Sequence, residues 1–212
     1  MTENKNHWYD GWFYDRVIAP NQDPLFVQVK ELIDPHSTVI DVGCGTGRLA
    51  FALGNHCETV LGIDLSKRNI GRADTMLQRE PNDKISFLYI PAGDLKKGVE
   101  KPFDYAVLTY VIHEVNKDER IKLLNDISLV ADRIIIGDYL FPRPTGLSGF
   151  ISETIEYLAG REHYRNYLTY MADGGILHLA RESGLCIVNE VKSRRSVDHL
   201  VVLVKQPNHR TN

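Results

Sequence analysis

At 212 residues the chain has room for one domain with embellishments, and not for two full ones. With 43% hydrophobic and 25% charged residues it has the composition of an ordinary globular protein, which excludes a wholly disordered or fibrous chain. Its 25 Lys+Arg against 28 Asp+Glu leave a formal charge of −3, which disfavours nucleic acid as a partner, because phosphate binding calls for a basic surface.

No apolar run approaches the roughly 18 residues that a membrane-spanning helix needs, so no membrane association is expected. The N-terminus, MTENKNHWYDGWFYD, is polar and then aromatic, unlike the charged-then-apolar layout of a secretory signal. Cys44, Cys57 and Cys186 show no metal-type spacing, so no metal site is expected. An odd number of cysteines leaves one unpaired, and reduced thiols in a cytoplasmic protein are the expectation.

In chain order, an N-terminal arm over 1–35 carries a helix starting at Asp23-Pro24, with proline in the first turn. Thr38 to Val42 is a short apolar run ending at Gly43, which predicts a buried strand. A helix follows from Gly45 to Asn55, with Leu49, Ala50 and Leu53 on one face. Thr59 to Asp64 is the second strand, and Ser66 caps a helix running to about Arg79. Strands are predicted at Ile85 to Ile90 and Tyr105 to Tyr110, and a helix at Lys117 to Val130. Ile134 to Ile136 is the next strand, ending at Gly137-Asp138. From Leu140 to Leu168 the rhythm breaks into prolines, glycines, aromatics and ionisable residues. A helix resumes from Tyr170 to Ser183, and a closing hairpin pairs Cys186–Val191 with His199–Val204. Strands alternating with helices predict an α/β fold, a doubly wound and mostly parallel sheet of about seven strands with an antiparallel last strand.

The loop between the first strand and its helix carries the strongest signal. Gly43, Gly45 and Gly47 stand at alternate positions behind Asp41. Without side chains they let the backbone turn sharply and let a ligand approach main-chain N–H groups. A dinucleotide fingerprint would place its third small residue at position 48, which is Arg48, and the P-loop pattern is absent. Asp64 ends the second strand, roughly 20 residues on, where a carboxylate can grip two ribose hydroxyls. A ribose-containing ligand without an obligatory pyrophosphate is therefore expected.

Several motifs in this order resemble the class I S-adenosylmethionine-dependent methyltransferases, over Val39 to about Val204. Asp41-Val-Gly-Cys-Gly-Thr-Gly47 is similar to the family's first motif, whose loop faces the methionine part of the cofactor. Gly62-Ile-Asp-Leu-Ser66 resembles the second, with Asp64 at the ribose-binding acid and Leu65 beside it. Pro91-Ala-Gly-Asp-Leu95 resembles the element in which Asp94 would accept from the adenine amino group, next to Leu95. Phe103 to Val115 is similar to the fourth-strand motif, whose following loop approaches the sulfonium. The resemblance implies a cofactor, S-adenosyl-L-methionine, with S-adenosyl-L-homocysteine as product. The cofactor-binding set it implies is Asp41, Gly43, Cys44, Gly45, Thr46, Gly47, Asp64, Leu65, Asp94, Leu95 and Tyr110. Cys44 is expected to contribute main-chain atoms and not a reactive sulfur.

Transfer of an already activated methyl is an in-line displacement, so proximity and orientation supply much of the rate and no catalytic side chain is obligatory. A base is needed only where the acceptor must lose a proton, and His113, after the fourth strand, is the candidate. It can equally serve to shape the pocket, and Glu114 reads as the polar start of a helix. Asp138 and Tyr139 end the fifth strand at the ligand-binding edge of such sheets, as substrate-side groups or as caps. Tyr9 and Tyr14 in the aromatic arm, and Tyr157 and His163 in the 140–168 insertion, are the remaining substrate candidates. The resemblance implies that the arm can act as a lid and the insertion as a substrate-recognition element.

The fourth motif reads Thr-Tyr-Val-Ile, unlike the pattern for methylating exocyclic amino groups of bases, and no Pro-Cys pair supplies the nucleophile for cytosine C5. With the negative charge, this favours a small-molecule acceptor. The alternatives are a catalytically silent protein that binds the cofactor, an RNA or protein methyltransferase, and an NAD-dependent oxidoreductase. The last is disfavoured by Arg48 and the terminal hairpin. The sequence specifies no oligomeric state.

Overall fold

The computed structural model describes residues 22–97, 102–143, 147–192 and 198–206. Seven strands form one sheet: β1 (Thr38–Val42), β2 (Thr59–Asp64), β3 (Ile85–Tyr89), β4 (Phe103–Thr109), β5 (Ala131–Tyr139), β6 (Leu185–Lys192) and β7 (Asp198–Lys205). Their order is β3-β2-β1-β4-β5-β7-β6. The first five strands run parallel, while β7 is antiparallel to both β5 and β6. This is the doubly wound sheet with an antiparallel last strand that the sequence predicts.

The central strands β1, β4 and β5 are apolar along most of their length because both faces of the sheet are covered there, while the edge strands β3 and β6 are largely exposed. Along β1, Val39 faces one core cluster while Ile40 and Val42 face the other. Ile134 and Ile136 alternate with Ile135 in the same way on β5. One face is covered by α1 (Asp23–Leu32), α2 (Arg48–Leu53) and α3 (Lys67–Arg79), through Leu25, Leu49, Leu53, Ile70 and their neighbours. The other is covered by α4 (Lys117–Ser128), α6 (Arg161–Asp173) and α7 (Gly175–Glu182), through Leu124, Ile127, Tyr167, Ile176 and Leu179. Gly137 lets α1 pack close to β5: a Cβ there would stand 2.9 Å from Leu25 Cδ2. Among the described residues no helix is long and apolar enough to cross a membrane.

Three expectations need correction. The helix expected from Gly45 begins at Arg48, because Gly45 and Gly47 sit at φ of 55° and 84°, outside the right-handed helical region. The helix expected over 170–183 is broken at Gly174 and Gly175, with φ of 105° and 65°. And the broken stretch 140–168 holds two helices, α5 (Leu147–Ala159) and the larger part of α6. The inward residues of α6 are His163, Asn166, Tyr167 and Tyr170. Their spacing is helical but their chemistry is polar and aromatic, so hydrophobic periodicity does not reveal it.

Candidate active site

The turn after β1 runs along the carboxyl edge of the sheet. Gly43 N–H and Cys44 N–H both donate to the Ile63 carbonyl, at 2.8 and 3.0 Å, which pins the turn to the end of β2. Gly43 has φ of 75°, and a Cβ on it would lie 2.5 Å from Val111 Cγ2. The position is closed to side chains on both counts. At Gly45 a Cβ would meet nothing within 4 Å, so the loop's middle faces open space. Thr46 is half-buried, and Gly47 packs against the Phe87 ring.

Asp64 holds this loop in shape. Its Oδ2 accepts from Gly45 N–H at 2.8 Å and its Oδ1 from Ser66 N–H at 2.6 Å. Leu65, next to it, is 66% exposed, an apolar side chain turned outward at the rim. Asp41 lies beneath the loop, 1% exposed, and its Oδ2 is buried with no hydrogen-bond donor among the described residues. Burial, and next the nearby Asp64 charge, push its carboxyl up to about 7. A buried carboxylate oxygen lacking a donor is costly by itself and fits a cationic ligand group. Burial raises the Cys44 thiol, as do the Asp41 and Asp64 charges, so that sulfur is no nucleophile. Asp94 and Leu95 lie in a 3-10 turn, Ala92–Lys97, with Asp94 exposed at the same edge.

Tyr110 closes β4 with φ of 55°, unusual for a residue with a side chain. Its N–H donates to the Gly137 carbonyl at 2.8 Å and its hydroxyl donates to Asp198 on β7. The twist turns the chain away from the strand toward His113. Tyr110 and Tyr139 meet edge-on, with ring centroids 5.7 Å apart.

His113 sits in a built cluster, 2% exposed. Its Nδ1 lies 2.7 Å from Asp138 Oδ1, and its backbone N–H donates to Asp138 Oδ2 at 3.2 Å. Its Nε2 faces Glu156 Oε2 at 3.5 Å. His163 Nε2 reaches the same oxygen at 2.6 Å, and Tyr139 Oη donates to Glu156 Oε1 at 2.6 Å. Burial alone would lower the His113 imidazole, but Asp138 and Glu156 outweigh it and raise it well above its ordinary value. His163 is raised likewise, against burial, chiefly by Glu156 and Glu114. Burial opposes the charge on Glu156, yet the two imidazoles hold it well below the usual carboxylate range. Burial, then Glu156, push the Tyr139 hydroxyl well above its ordinary value.

The buried Arg120 ties this cluster to α6. Its guanidinium donates to the carbonyls of Val115 and Asn166, at 3.0 and 2.6 Å, and to Thr169 Oγ1 at 3.1 Å. Asn166 Nδ2 in turn donates to the Glu114 carbonyl at 2.7 Å.

The structure thus gathers His113, Asp138, Tyr139 and His163, four of the sequence candidates, into one cluster. Tyr157 stands apart, 66% exposed, with its ring edge-on to Tyr164. Tyr9 and Tyr14 lie outside the described residues. Sequence reasoning missed Glu156 and Arg120. The one signal for Glu156 is its place seven residues before His163, which becomes meaningful only once α5 and α6 are known to pack together.

The seven-stranded sheet in this order, and the Asp-led triple-glycine turn braced by the acid ending β2, are the arrangement that the sequence resemblance leads one to expect. In comparison with known proteins, residues 40–131 match the methyltransferase domain family. The chain is 28% identical over 104 residues to a Saccharomyces cerevisiae protein named "Probable S-adenosylmethionine-dependent methyltransferase CRG1", covering 47% of this chain and 36% of that one. It is 31% identical over 108 residues to the ribosomal protein L11 methyltransferase of Thermotoga petrophila, covering 50% of this chain and 37% of that one. The matches therefore span little more than a third of either relative. Among solved structures, magnesium protoporphyrin IX methyltransferase from Synechocystis PCC 6803 with bound SAH superposes with a TM-score of 0.63 at 17% identity. That likeness covers 92% of this chain and 88% of the other.

Proposed function

We propose that this protein transfers a methyl group from S-adenosyl-L-methionine to an O, N or C atom of a small-molecule acceptor. The observation that carries the reading is the glycine turn braced on Asp64 above the buried, donorless oxygen of Asp41. In this reading Asp64 takes the ribose hydroxyls and Asp94 the adenine amino group, while Leu65 lines the rim. Asp41 offers its charge to the ammonium of the methionine part, and the backbone of Gly43 to Gly47 lies along it. Tyr110 flanks the methyl end. Bound there, the cofactor supplies an already activated sulfonium methyl, so alignment is the main demand on the protein.

The acceptor side is assigned to β4, β5 and the 140–168 insertion, which carry the His113–Glu156–His163 cluster. Held by Asp138 at Nδ1 and facing Glu156 at Nε2, His113 is read as a positioning residue. The acceptor's class rests on the net charge of −3 and on the absence of base-methylation motifs. The relatives' names point to no single acceptor.

Calorimetric titration of the full chain with S-adenosylmethionine, S-adenosylhomocysteine and NAD tests the cofactor. Binding of the first two without the third is the expected result. Binding of NAD alone, or of none, overturns the reading.

A further inference from the structure

Nothing in the methyl-transfer reading uses both histidines and both carboxylates of the buried cluster. Their ligating atoms nevertheless converge. His113 Nε2, His163 Nε2 and a Glu114 oxygen lie within 4.8 Å of one another. Glu114 Oε1 stands 4.0 Å from His113 Nε2 and 3.7 Å from His163 Nε2, and Glu156 Oε2 stands 3.5 and 2.6 Å from the same two nitrogens. Ligands about 2.0–2.1 Å from a tetrahedral ion are separated by about 3.3–3.5 Å, so most of these spacings need only small side-chain adjustments.

The surroundings also orient the set. Asp138 holds His113 Nδ1 at 2.7 Å and so turns Nε2 toward the centre, the carboxylate–histidine arrangement that commonly backs a metal-bound imidazole. Tyr139 holds Glu156 Oε1 at 2.6 Å and leaves Oε2 inward. That inward oxygen is buried against both imidazoles. Glu114, 46% exposed, opens the cluster to solvent on one side and gives an ion a way in. Two imidazoles and two carboxylates suit a first-row transition ion better than Mg²⁺ or Ca²⁺, which prefer all-oxygen shells.

We propose that His113, His163, Glu156 and Glu114 bind a divalent transition-metal ion between β4 and the α5–α6 pair, at the acceptor side of the sheet edge. The site is independent of the cofactor's identity, because none of its ligands belongs to the glycine turn.

The test is titration of the chelator-treated full chain, without cofactor, using Zn²⁺ by calorimetry and Co²⁺ by visible absorption. One ion per chain is expected, with tetrahedral Co²⁺ bands. His163→Ala and Glu156→Gln should each weaken Zn²⁺ binding by about 100-fold or more, and Asp138→Asn by about 10–100-fold through the backing bond. Glu114→Gln, at the exposed rim and outside the core packing, provides a variant expected to fold normally and to bind Zn²⁺ about tenfold more weakly. Absence of Zn²⁺ binding by the wild type, or equal binding by the wild type and by variants with native circular dichroism, overturns the proposal. Cofactor titrations of the same samples report on methyl transfer separately, so failure of one reading is distinguishable from failure of the other.

Discussion

The two halves of the sheet's carboxyl edge are assembled differently. On the β1–β2 half, the decisive contacts use backbone: Gly45 N–H meets the Asp64 carboxylate, 19 residues on. On the β4–β5 half, side chains from four separate elements meet, and Asn166 reaches back 52 residues to the loop of Glu114. A turn built from glycines and one acid is specified by a few residues, as suits the one cofactor proposed for it. A cluster gathered by helix packing can be rebuilt by changing the helices, which suits the proposed acceptor side.

That contrast predicts that the second half can be loosened without the first. Arg120→Ala removes a buried guanidinium that joins the Val115 carbonyl to the Asn166 carbonyl and Thr169. Loss of these charged hydrogen bonds should cost about 4 kcal/mol of stability in urea unfolding. Affinity for S-adenosylmethionine should stay within about twofold, because the glycine turn shares no partner with Arg120. A large, parallel loss of cofactor affinity would show that the two halves are one unit.

A second prediction probes the first half through pH. Asp41 has its carboxyl raised from 3.8 to about 7 in the folded chain. Between those values the unfolded chain has released the proton while the folded chain keeps it. Stability from this group is therefore greatest at low pH, falls as pH rises toward 7, and levels off above it. The slope approaches at most about 1.4 kcal/mol per pH unit between pH 5 and 7. Asp41→Asn should remove that slope in cofactor-free protein, measured as unfolding free energy at several pH values. In the wild type, bound S-adenosylmethionine should flatten the slope by favouring the ionised carboxylate. If the slope survived the Asp41→Asn substitution, its origin would lie in another group.

The same contrast explains what was legible in the sequence. Strand periodicity and the spacing of Asp41, Gly43, Gly45, Gly47 and Asp64 are local, and the sheet and the turn follow from them. Asp138 and His113 could be placed at the edge because each ends or follows a strand. Their pairing could not, since it depends on β4 and β5 lying side by side. Glu156 was hidden further, because α5 interrupts a stretch of prolines and glycines and its partner His163 lies on another helix. The inward face of α6, polar and aromatic, gives no hydrophobic stripe to read.

A smaller effect sharpens the first half. Asp64→Ala removes the acceptor for Gly45 N–H and Ser66 N–H together with the proposed ribose contact. Affinity for S-adenosylmethionine should fall by more than about tenfold, or about 1.4 kcal/mol. Asp64→Asn keeps one acceptor oxygen and should fall between the two. An unchanged dissociation constant for the alanine variant would remove Asp64 from the ribose role.

The smallest expected effect comes from two neighbours on α5. Glu156 is 3% exposed and points into the cluster, while Tyr157 is 66% exposed and points away. A helix turns about 100° per residue, so adjacent positions belong to different faces. Tyr157→Ala should change unfolding free energy by less than about 0.5 kcal/mol, since its ring touches Tyr164 at the surface and little else is lost. Glu156→Gln, conservative in shape, should cost more, because it strips the charge facing two imidazoles. The order of these two unfolding free energies tests whether aromatic residues or buried charge organise the acceptor side. If Tyr157→Ala proved the more damaging, the exposed face of α5 would have to pack against something, and the aromatic reading of this insertion would replace the electrostatic one.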